Sequence, residues 1–168
     1  MSDPAIRPSI RAATETDVPA IAAIYDHEVR TAITTFDVEP QPTSYWEMRV
    51  ASTVRGDHFL VAVEEGAVVG FAYAAPYRTR AGYLHTRETS VYLADGARGR
   101  GLGRALYDEL LALLRADSIH LVVAVIALPN DASESLHRSY GFGPAGVLRE
   151  VGWKLDRWID TALWTLTL

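Results

Sequence analysis

A mixed α/β fold, with antiparallel hairpins and helical crossovers sharing one sheet, is what this sequence predicts, and three observations predict it. Two apolar segments, "HFLVAVEE" (58–65) and "VVGFAYAAPY" (68–77), are separated only by a glycine-containing turn, which reads as a hairpin. The stretch from Leu102 to Leu114 repeats apolar residues at helical spacing. "LVVAVIAL" (121–128) is a β-branched run suited to a fully buried strand, followed by a second helical segment.

In order, "SIRAATE" (9–15) reads as a short first strand. "TDVPAIAAIYDHEV" (16–29) reads as a helix, with Thr16 or Asp17 as cap, Pro19 in the first turn, and Val18, Ile21, Ile24, Tyr25 and Glu28 at helical spacing. A weaker helix covers "TSYWEMRVASTV" (43–54), capped by Thr43 or Ser44. After the hairpin, "YLHTRETSVYL" (83–93) is rich in β-branched and aromatic residues and is predicted to be a strand. "PNDASESLHRSYGF" (129–142) is predicted to be a capped helix ending at Gly141. "VLREVGWKL" (147–155) and "RWIDTALWTLTL" (157–168) complete the set as strands, the second carrying Ala162, Trp164, Leu166 and Leu168 on one face. The order is β, α, α, β, β, β, α, β, α, β, β. No repeat, low-complexity tract or linker divides it, so residues 1–168 read as a single domain.

Composition narrows the function. The chain is 49% hydrophobic and 22% charged, with a formal net charge of -5, which gives no general affinity for nucleic acid or an anionic membrane. There is no cysteine, which excludes disulfides and thiolate nucleophiles and fits a reducing compartment. "MSDPAIRPSI" has no apolar leader, and the longest apolar run is far too short to span a bilayer, so a cytoplasmic protein is expected. The five histidines show no ligand pairing, and no metal is expected.

The most informative stretch is "GARGRGLGR" (96–104), four glycines and three arginines in nine residues, running straight into the amphipathic helix. Gly99, Gly101 and Gly103 allow a loop to curl so that several N–H groups converge, with bare backbone an anion can approach. The helix N-terminus adds partial positive charge, worth about 0.3 to 2 kcal/mol, and Arg98, Arg100 and Arg104 add full charges. The combination predicts a cradle for a coenzyme diphosphate. A dinucleotide fingerprint does not fit, because its third glycine would fall on Leu106. A P-loop does not fit either, because Arg104 and Ala105 stand where lysine and serine or threonine are needed.

"RGRGLG" (98–103) fits R/Q-x-x-G-x-G/A, the acyl-CoA loop of the GCN5-related N-acetyltransferases, and the element order resembles that fold over nearly the whole chain. "TFDVEPQ", "GFAYAAPYRTRAGY", "ETSVYL", "VVAVIALPNDASESLHRSYGF" and "VGWKLDRWID" resemble the phosphinothricin and methionine sulfoximine N-acetyltransferase branch. The resemblance implies a mostly antiparallel sheet that splays between two strands, with acetyl-CoA in the opening. The backbone of Val91, Tyr92 and Leu93 would bind the pantetheine, and Arg98, Gly99, Arg100, Gly101, Leu102, Gly103 and Arg104 the pyrophosphate. Asn130 would contact the pantetheine arm or serve only as a helix cap, with Ser139 further along.

It also implies direct attack of an amine on the thioester. Glu88 aligns with the family's acidic residue and would remove the ammonium proton, a contribution of about 10²- to 10⁴-fold. Pairing of Glu88 with Arg87 or a neighbour is the alternative. The Leu93 N–H would stabilise the oxyanion, worth about 2.7 to 4 kcal/mol. Where many members carry a tyrosine to protonate the departing thiolate, this chain has His137, with Tyr140 nearby.

For the acceptor, Arg78 and Arg80 flank Thr79 on a loop, and guanidinium forks suit a substrate with a carboxylate and a second strongly polar group. Tyr83, Glu88, Thr89 and Ser90 would line the same site, and Phe36 resembles the family's aromatic wall. The implied acceptor is a small amino-acid-like molecule such as phosphinothricin, methionine sulfoximine or methionine sulfone. A protein N-terminus or polyamine as acceptor, or a non-catalytic acyl-CoA sensor, are the competing readings. Pairing as a homodimer is implied by resemblance, with Trp153, Trp158 and Trp164 as candidate interface residues.

Overall fold

The structure is a computed structural model that describes residues 8–168; the first seven residues of the segment read above as lacking a leader lie outside it. Strand β1 (Ser9–Ala12) is followed by helices α1 (Val18–Thr31) and α2 (Thr43–Val50), then β2 (His58–Glu64), β3 (Ala67–Pro76) and β4 (Thr86–Leu93). Helix α3 (Leu102–Ala116), β5 (Leu121–Ala127), α4 (Asp131–Ser139), β6 (Gly143–Lys154) and β7 (Arg157–Thr167) complete the chain. The order of strands and α-helices is the one the sequence predicts. The seven strands form one sheet in the order β1-β2-β3-β4-β5-β7-β6.

Differences lie at the ends of elements. The segment 83–93 is strand only from Thr86, because Ala81–Tyr83 forms a 3-10 turn. β6 begins four residues before Val147, at Gly143, since β7 offers pairing partners as far as Thr165. Of the two predicted caps of α1, Asp17 holds the cap position but makes no side-chain cap bond to that helix; the 3-10 turn Glu15–Asp17 before it is the one that is capped. Thr14 closes a capping box with Asp17, whose carboxylate accepts the Thr14 N–H at 2.8 Å and pairs with Arg11 at 2.7 Å. That pairing with Arg11 holds the Asp17 carboxyl down at about 2. α2 starts at Thr43 itself, with Pro42 in the capping position.

The β2–β3 turn is Glu65–Gly66, both with positive φ (49° and 81°), the backbone that matches the twist of a two-residue hairpin. Its strands present two faces. On one, α3 places Leu102, Leu106, Leu110 and Leu114 against Leu60, Ala72, Val122, Ala124 and Trp164. On the other, α1 and α2 close over an aromatic cluster in which Trp46 meets Tyr25 edge-on at 4.8 Å and Phe59 stacks on Phe71 at 5.5 Å. Contacts of this kind add about 0.5–1.5 kcal/mol each beyond burial. Trp164 is core, 4% exposed, and so is not an interface residue, whereas Trp153 and Trp158 are more than half exposed at 52% and 59%.

The feature that positions the site is a divergence in the sheet. β4 and β5 pair in parallel through Thr86–Leu121, Arg87–Val122 and Glu88–Val123, and the ladder stops there. Beyond that point β4 stays with β3 as far as Leu93, while β5 stays with β7 as far as Ala127. The strands open into a V, and the β4 main chain after Glu88 has no ladder partner in β5.

Candidate active site

The V is the mouth of a cleft of about 390 Å³. Thr89–Leu93 and Ala124–Ala127 form its walls, the loop from Arg98 to Arg104 one end, and Asn130, Ser133, Leu136 and His137 of the α4 region the other side. Gly99 and Gly101 adopt positive φ (74° and 82°) and have nothing within 4 Å of where a side chain would begin. Gly101 is the residue that caps α3, so this open backbone lies directly over a helix N-terminus. An elongated thioester coenzyme with a diphosphate fits these features: unpaired strand edge for the arm, bare backbone and helix start for the anion.

The three arginines of the loop are not equally free. Arg98 pairs with Glu28 of α1 and lies 3.4 Å from Asp95, and Arg100 pairs with Glu64 at 2.9 Å. Only Arg104 of the three lacks an ion pair among the described residues; its carbonyl accepts the Tyr140 hydroxyl at 2.8 Å. Positive charge at the cradle therefore rests on Arg104, the glycine backbone and the helix end. Arg98 fastens the loop to α1 as well as lining the cleft. Arg100 and Ser139 lie outside the lining; the Ser139 hydroxyl donates to the Leu136 carbonyl at 2.7 Å. Asn130 caps α4, its Oδ1 accepting the Ser133 N–H at 3.1 Å, and it also lines the cleft.

Strand alternation sorts the β4 side chains. Thr89 points toward α3, where its hydroxyl lies 3.0 Å from the Tyr107 hydroxyl, and Val91 and Leu93 pack on the α3 side. Glu88, Ser90 and Tyr92 occupy the opposite face, toward α1 and α2. Arg87 points away from Glu88 and is 1% exposed, with its guanidinium donating to the carbonyls of Leu84, Thr86 and Arg55. Glu88 is not paired with it. Glu88 is half-buried at the point where the V opens, and burial pushes its carboxyl above the ordinary range, while the charges of Arg78 and Arg49 pull in the opposite direction.

On the α3 side the cleft floor carries a three-residue hydrogen-bond chain. His137 is 3% exposed, and its Nδ1 lies 2.7 Å from the Ser133 carbonyl, which can only accept. Nδ1 therefore carries the proton. Burial lowers the His137 pKa, so the ring is neutral and Nε2 accepts from the Tyr107 hydroxyl at 2.8 Å. The Tyr107 oxygen is in turn placed to receive the Thr89 hydroxyl. Burial raises the Tyr107 phenol, keeping it protonated. Tyr140, by contrast, shares its one hydroxyl proton between Asp108 Oδ1 at 2.7 Å and the Arg104 carbonyl, and is held outside the lining.

Of the expected acceptor residues, Thr89 and Ser90 line the cleft, and Phe36, Arg78, Thr79, Arg80 and Tyr83 lie outside its lining. Arg78 lies over the Tyr77 ring at 4.4 Å; Thr79, Arg80 and Tyr83 are exposed on the same loop. Phe36 is 38% exposed and its ring fills the space above Gly152, where a methyl group would collide with it. Lys154, 4% exposed, donates to the Thr35 carbonyl at 2.7 Å and to the Glu28 carbonyl at 3.3 Å, fixing the segment that carries Phe36. Sequence reasoning passed over Glu28, Thr34 and Tyr107 as cleft residues. For Glu28 a signal existed: a carboxylate on the apolar stripe of α1 needs a buried partner.

Residues 10–163 match the family model described as an acetyltransferase (GNAT) domain. The chain is 41% identical over 157 residues to phosphinothricin N-acetyltransferase of Alcaligenes faecalis, covering 92% of this chain and 80% of that protein. It is 36% identical over 162 residues to the L-methionine sulfoximine/L-methionine sulfone acetyltransferase of Pseudomonas paraeruginosa, covering 95% and 94%. A solved GNAT superfamily phosphinothricin acetyltransferase from Sinorhizobium meliloti in complex with AcCoA superposes with a TM-score of 0.91 at 35% identity, over 96% of this chain and 88% of that one. The splayed sheet, the glycine cradle and these similarities agree: the chain belongs to the GNAT acetyltransferase family, within its phosphinothricin and methionine sulfoximine N-acetyltransferase branch, and is an acetyl-CoA-dependent N-acetyltransferase.

Proposed function

We propose that the acceptor is the amine of a small amino-acid-like molecule of the phosphinothricin, methionine sulfoximine and methionine sulfone class, with Glu88 as general base. The observation that carries this reading is the position of Glu88. It is a half-buried carboxylate with raised pKa at the apex of the V, facing a surface that bears Arg78 and Arg49. Guanidinium groups beside a base suit an acceptor with a carboxylate and a second polar group, and they disfavour a polyamine.

When bound, acetyl-CoA supplies an activated acyl carbonyl at its thioester. The backbone of Val91–Leu93 and the Gly99–Arg104 loop would hold it, with Asn130 beside the arm. Glu88 takes a proton from the acceptor ammonium, a role favoured by a pKa nearer the working pH. The Leu93 N–H, at the end of β4, serves as donor to the acyl oxygen. On the other wall, Tyr107 holds a proton at its hydroxyl, oriented by neutral His137 and by Thr89, so His137 acts through Tyr107 rather than as the direct donor.

We further propose a cytoplasmic homodimer. Leu148, Val151, Trp153 and Trp158 are apolar and about half exposed on the β6–β7 hairpin (48%, 50%, 52% and 59%), and the Trp153 and Trp158 rings meet edge-on at 5.1 Å. No helix among the described residues is long and apolar enough to cross a membrane.

The test is steady-state acetyl transfer from acetyl-CoA to phosphinothricin, methionine sulfoximine, methionine sulfone and spermidine, with Glu88→Gln alongside. Turnover on the first three, lost in the variant while acetyl-CoA still binds, supports the reading. Turnover on spermidine alone, or full activity in the variant, overturns it.

A further inference from the structure

The acceptor side of the sheet holds a cation that neither the glycine loop nor the Arg78–Arg80 loop accounts for. Arg49 lies in the last turn of α2, and its guanidinium carbon sits 4.5 Å from the centre of the Tyr45 ring and 5.0 Å from that of Tyr73. Stacking of this kind fixes the plane of the fork and leaves its edge available. The Arg49 guanidinium has no ion pair and no hydrogen bond among the described residues, and its Nε is buried without a partner. A clamped, partly buried, unpaired guanidinium costs free energy in the unliganded protein, and an anion at its edge would recover it.

Its surroundings say which anion. Tyr73 on β3 pairs in register with Ser90 on β4, and Glu88 is the next residue on that face of β4. The charged and titratable groups near Glu88 are Arg49 from α2, Tyr73 from β3, with Tyr45 of α2 beside Tyr73, and Arg78 from the loop; β5 contributes Val123, which cannot titrate. Arg49 is near enough to Glu88 to lower its pKa, yet forms no ion pair with it. The guanidinium and the base thus share one surface without cancelling each other. Arg78 and Arg80 are exposed, and Arg78 is engaged with Tyr77, so neither is held as Arg49 is.

We propose that Arg49 is an acceptor-binding residue that receives the α-carboxylate of the amino-acid substrate, leaving Arg78 and Arg80 to its second polar group. This rests on the amino-acid reading of the acceptor. A bidentate contact at Arg49 would place the carboxylate against the tyrosine clamp and turn the amine toward Glu88.

The test compares two acceptors that differ only by the carboxylate: methionine sulfone and 3-(methylsulfonyl)propan-1-amine. Each is assayed with the wild type, Arg49→Lys and Arg49→Met, and acetyl-CoA binding is followed by calorimetry to verify the fold of each variant. The expected result is a preference for the carboxylate acceptor in the wild type that falls at least about tenfold in Arg49→Met and partly in Arg49→Lys, because a lysine keeps the charge and loses the fork. In Arg49→Met the acidic limb of kcat/KM for the amine without carboxylate also moves to higher pH, since a cation has left the neighbourhood of Glu88. An unchanged preference ratio in Arg49→Met, with methionine sulfone still turned over, overturns the assignment of Arg49 alone. Failure of the wild type to acetylate methionine sulfone while it acetylates the plain amine overturns the amino-acid reading, and the Arg49 assignment with it.

Discussion

The Tyr107 hydroxyl donates to Nε2 of His137 across 2.8 Å, and the direction of that bond is fixed from the far side of the ring, where Nδ1 gives its proton to the Ser133 carbonyl. A histidine that stands where many relatives are expected to carry a tyrosine is thereby converted from donor to acceptor. The proton of the Tyr107–His137 hydrogen bond belongs to Tyr107.

Tyr107→Phe should therefore lower kcat by about ten- to a hundredfold, at the modest end of general-acid effects, with acetyl-CoA affinity nearly unchanged. His137→Asn, which loses the ring, should have a smaller effect. Rapid-quench measurement of the chemical step in both variants checks the order; a larger loss in the histidine variant would assign the proton to His137.

Glu88→Gln should cost about 10²- to 10⁴-fold in kcat/KM. The raised carboxyl also has a stability consequence. A carboxyl whose pKa is higher in the folded than in the unfolded state makes folding less favourable once it ionises, above the folded pKa, and has no such effect below the unfolded value. Glu88→Gln should thus have a higher Tm than the wild type at neutral pH, with the difference shrinking as pH falls through the folded pKa. Thermal scans from pH 4 to pH 8 would show it; a constant difference would mean that Glu88 is not destabilised by burial.

Arg98→Ala strands the Glu28 carboxylate, which is 3% exposed on its side chain and otherwise held by the Thr34 hydroxyl at 2.5 Å. The expected loss is about 1.5–3 kcal/mol. The double variant Glu28→Gln with Arg98→Ala should recover part of it, because no buried charge is left unpaired. Urea titration of the wild type, Arg98→Ala, Glu28→Gln and the double variant measures the coupling, and additive losses would show that the pair is not coupled.

Gly152→Ala introduces a methyl group where the Phe36 ring now lies. The ring must move, and if it walls the acceptor pocket, KM for methionine sulfone should change severalfold while KM for acetyl-CoA does not. Equal changes in both would place Phe36 outside the acceptor site.

Gly101→Ala probes the cradle. Space is open there, but φ of 82° strains any side chain by about 1–2 kcal/mol. Acetyl-CoA affinity should fall more than stability does, and calorimetry beside a thermal scan separates the two.

The sequence by itself determined the element order, the helix start beneath a glycine loop, and the capping asparagine at residue 130, because these depend on periodicity and on backbone chemistry within a few neighbours. Thr89 is a correction: expected beside Glu88 in the acceptor site, it faces α3 and the Tyr107 hydroxyl, because successive residues of β4 point to opposite faces. Tertiary structure decided what each charge meets. Arg98 and Arg100 look alike in sequence, but one is bound to Glu28, seventy residues earlier, and the other to Glu64, thirty-six residues earlier. Trp164 and Trp158 share a strand, yet one is core and the other is exposed. The partner of Tyr107 lies thirty residues away on α4, and the tyrosine clamp on Arg49 is drawn partly from α2 and partly from β3. Ion pairing, burial and hydrogen-bond direction are properties of close approach in space, and the point at which β4 leaves β5 is set by the strands each continues to pair with. No local pattern records that choice; the folded sheet makes it.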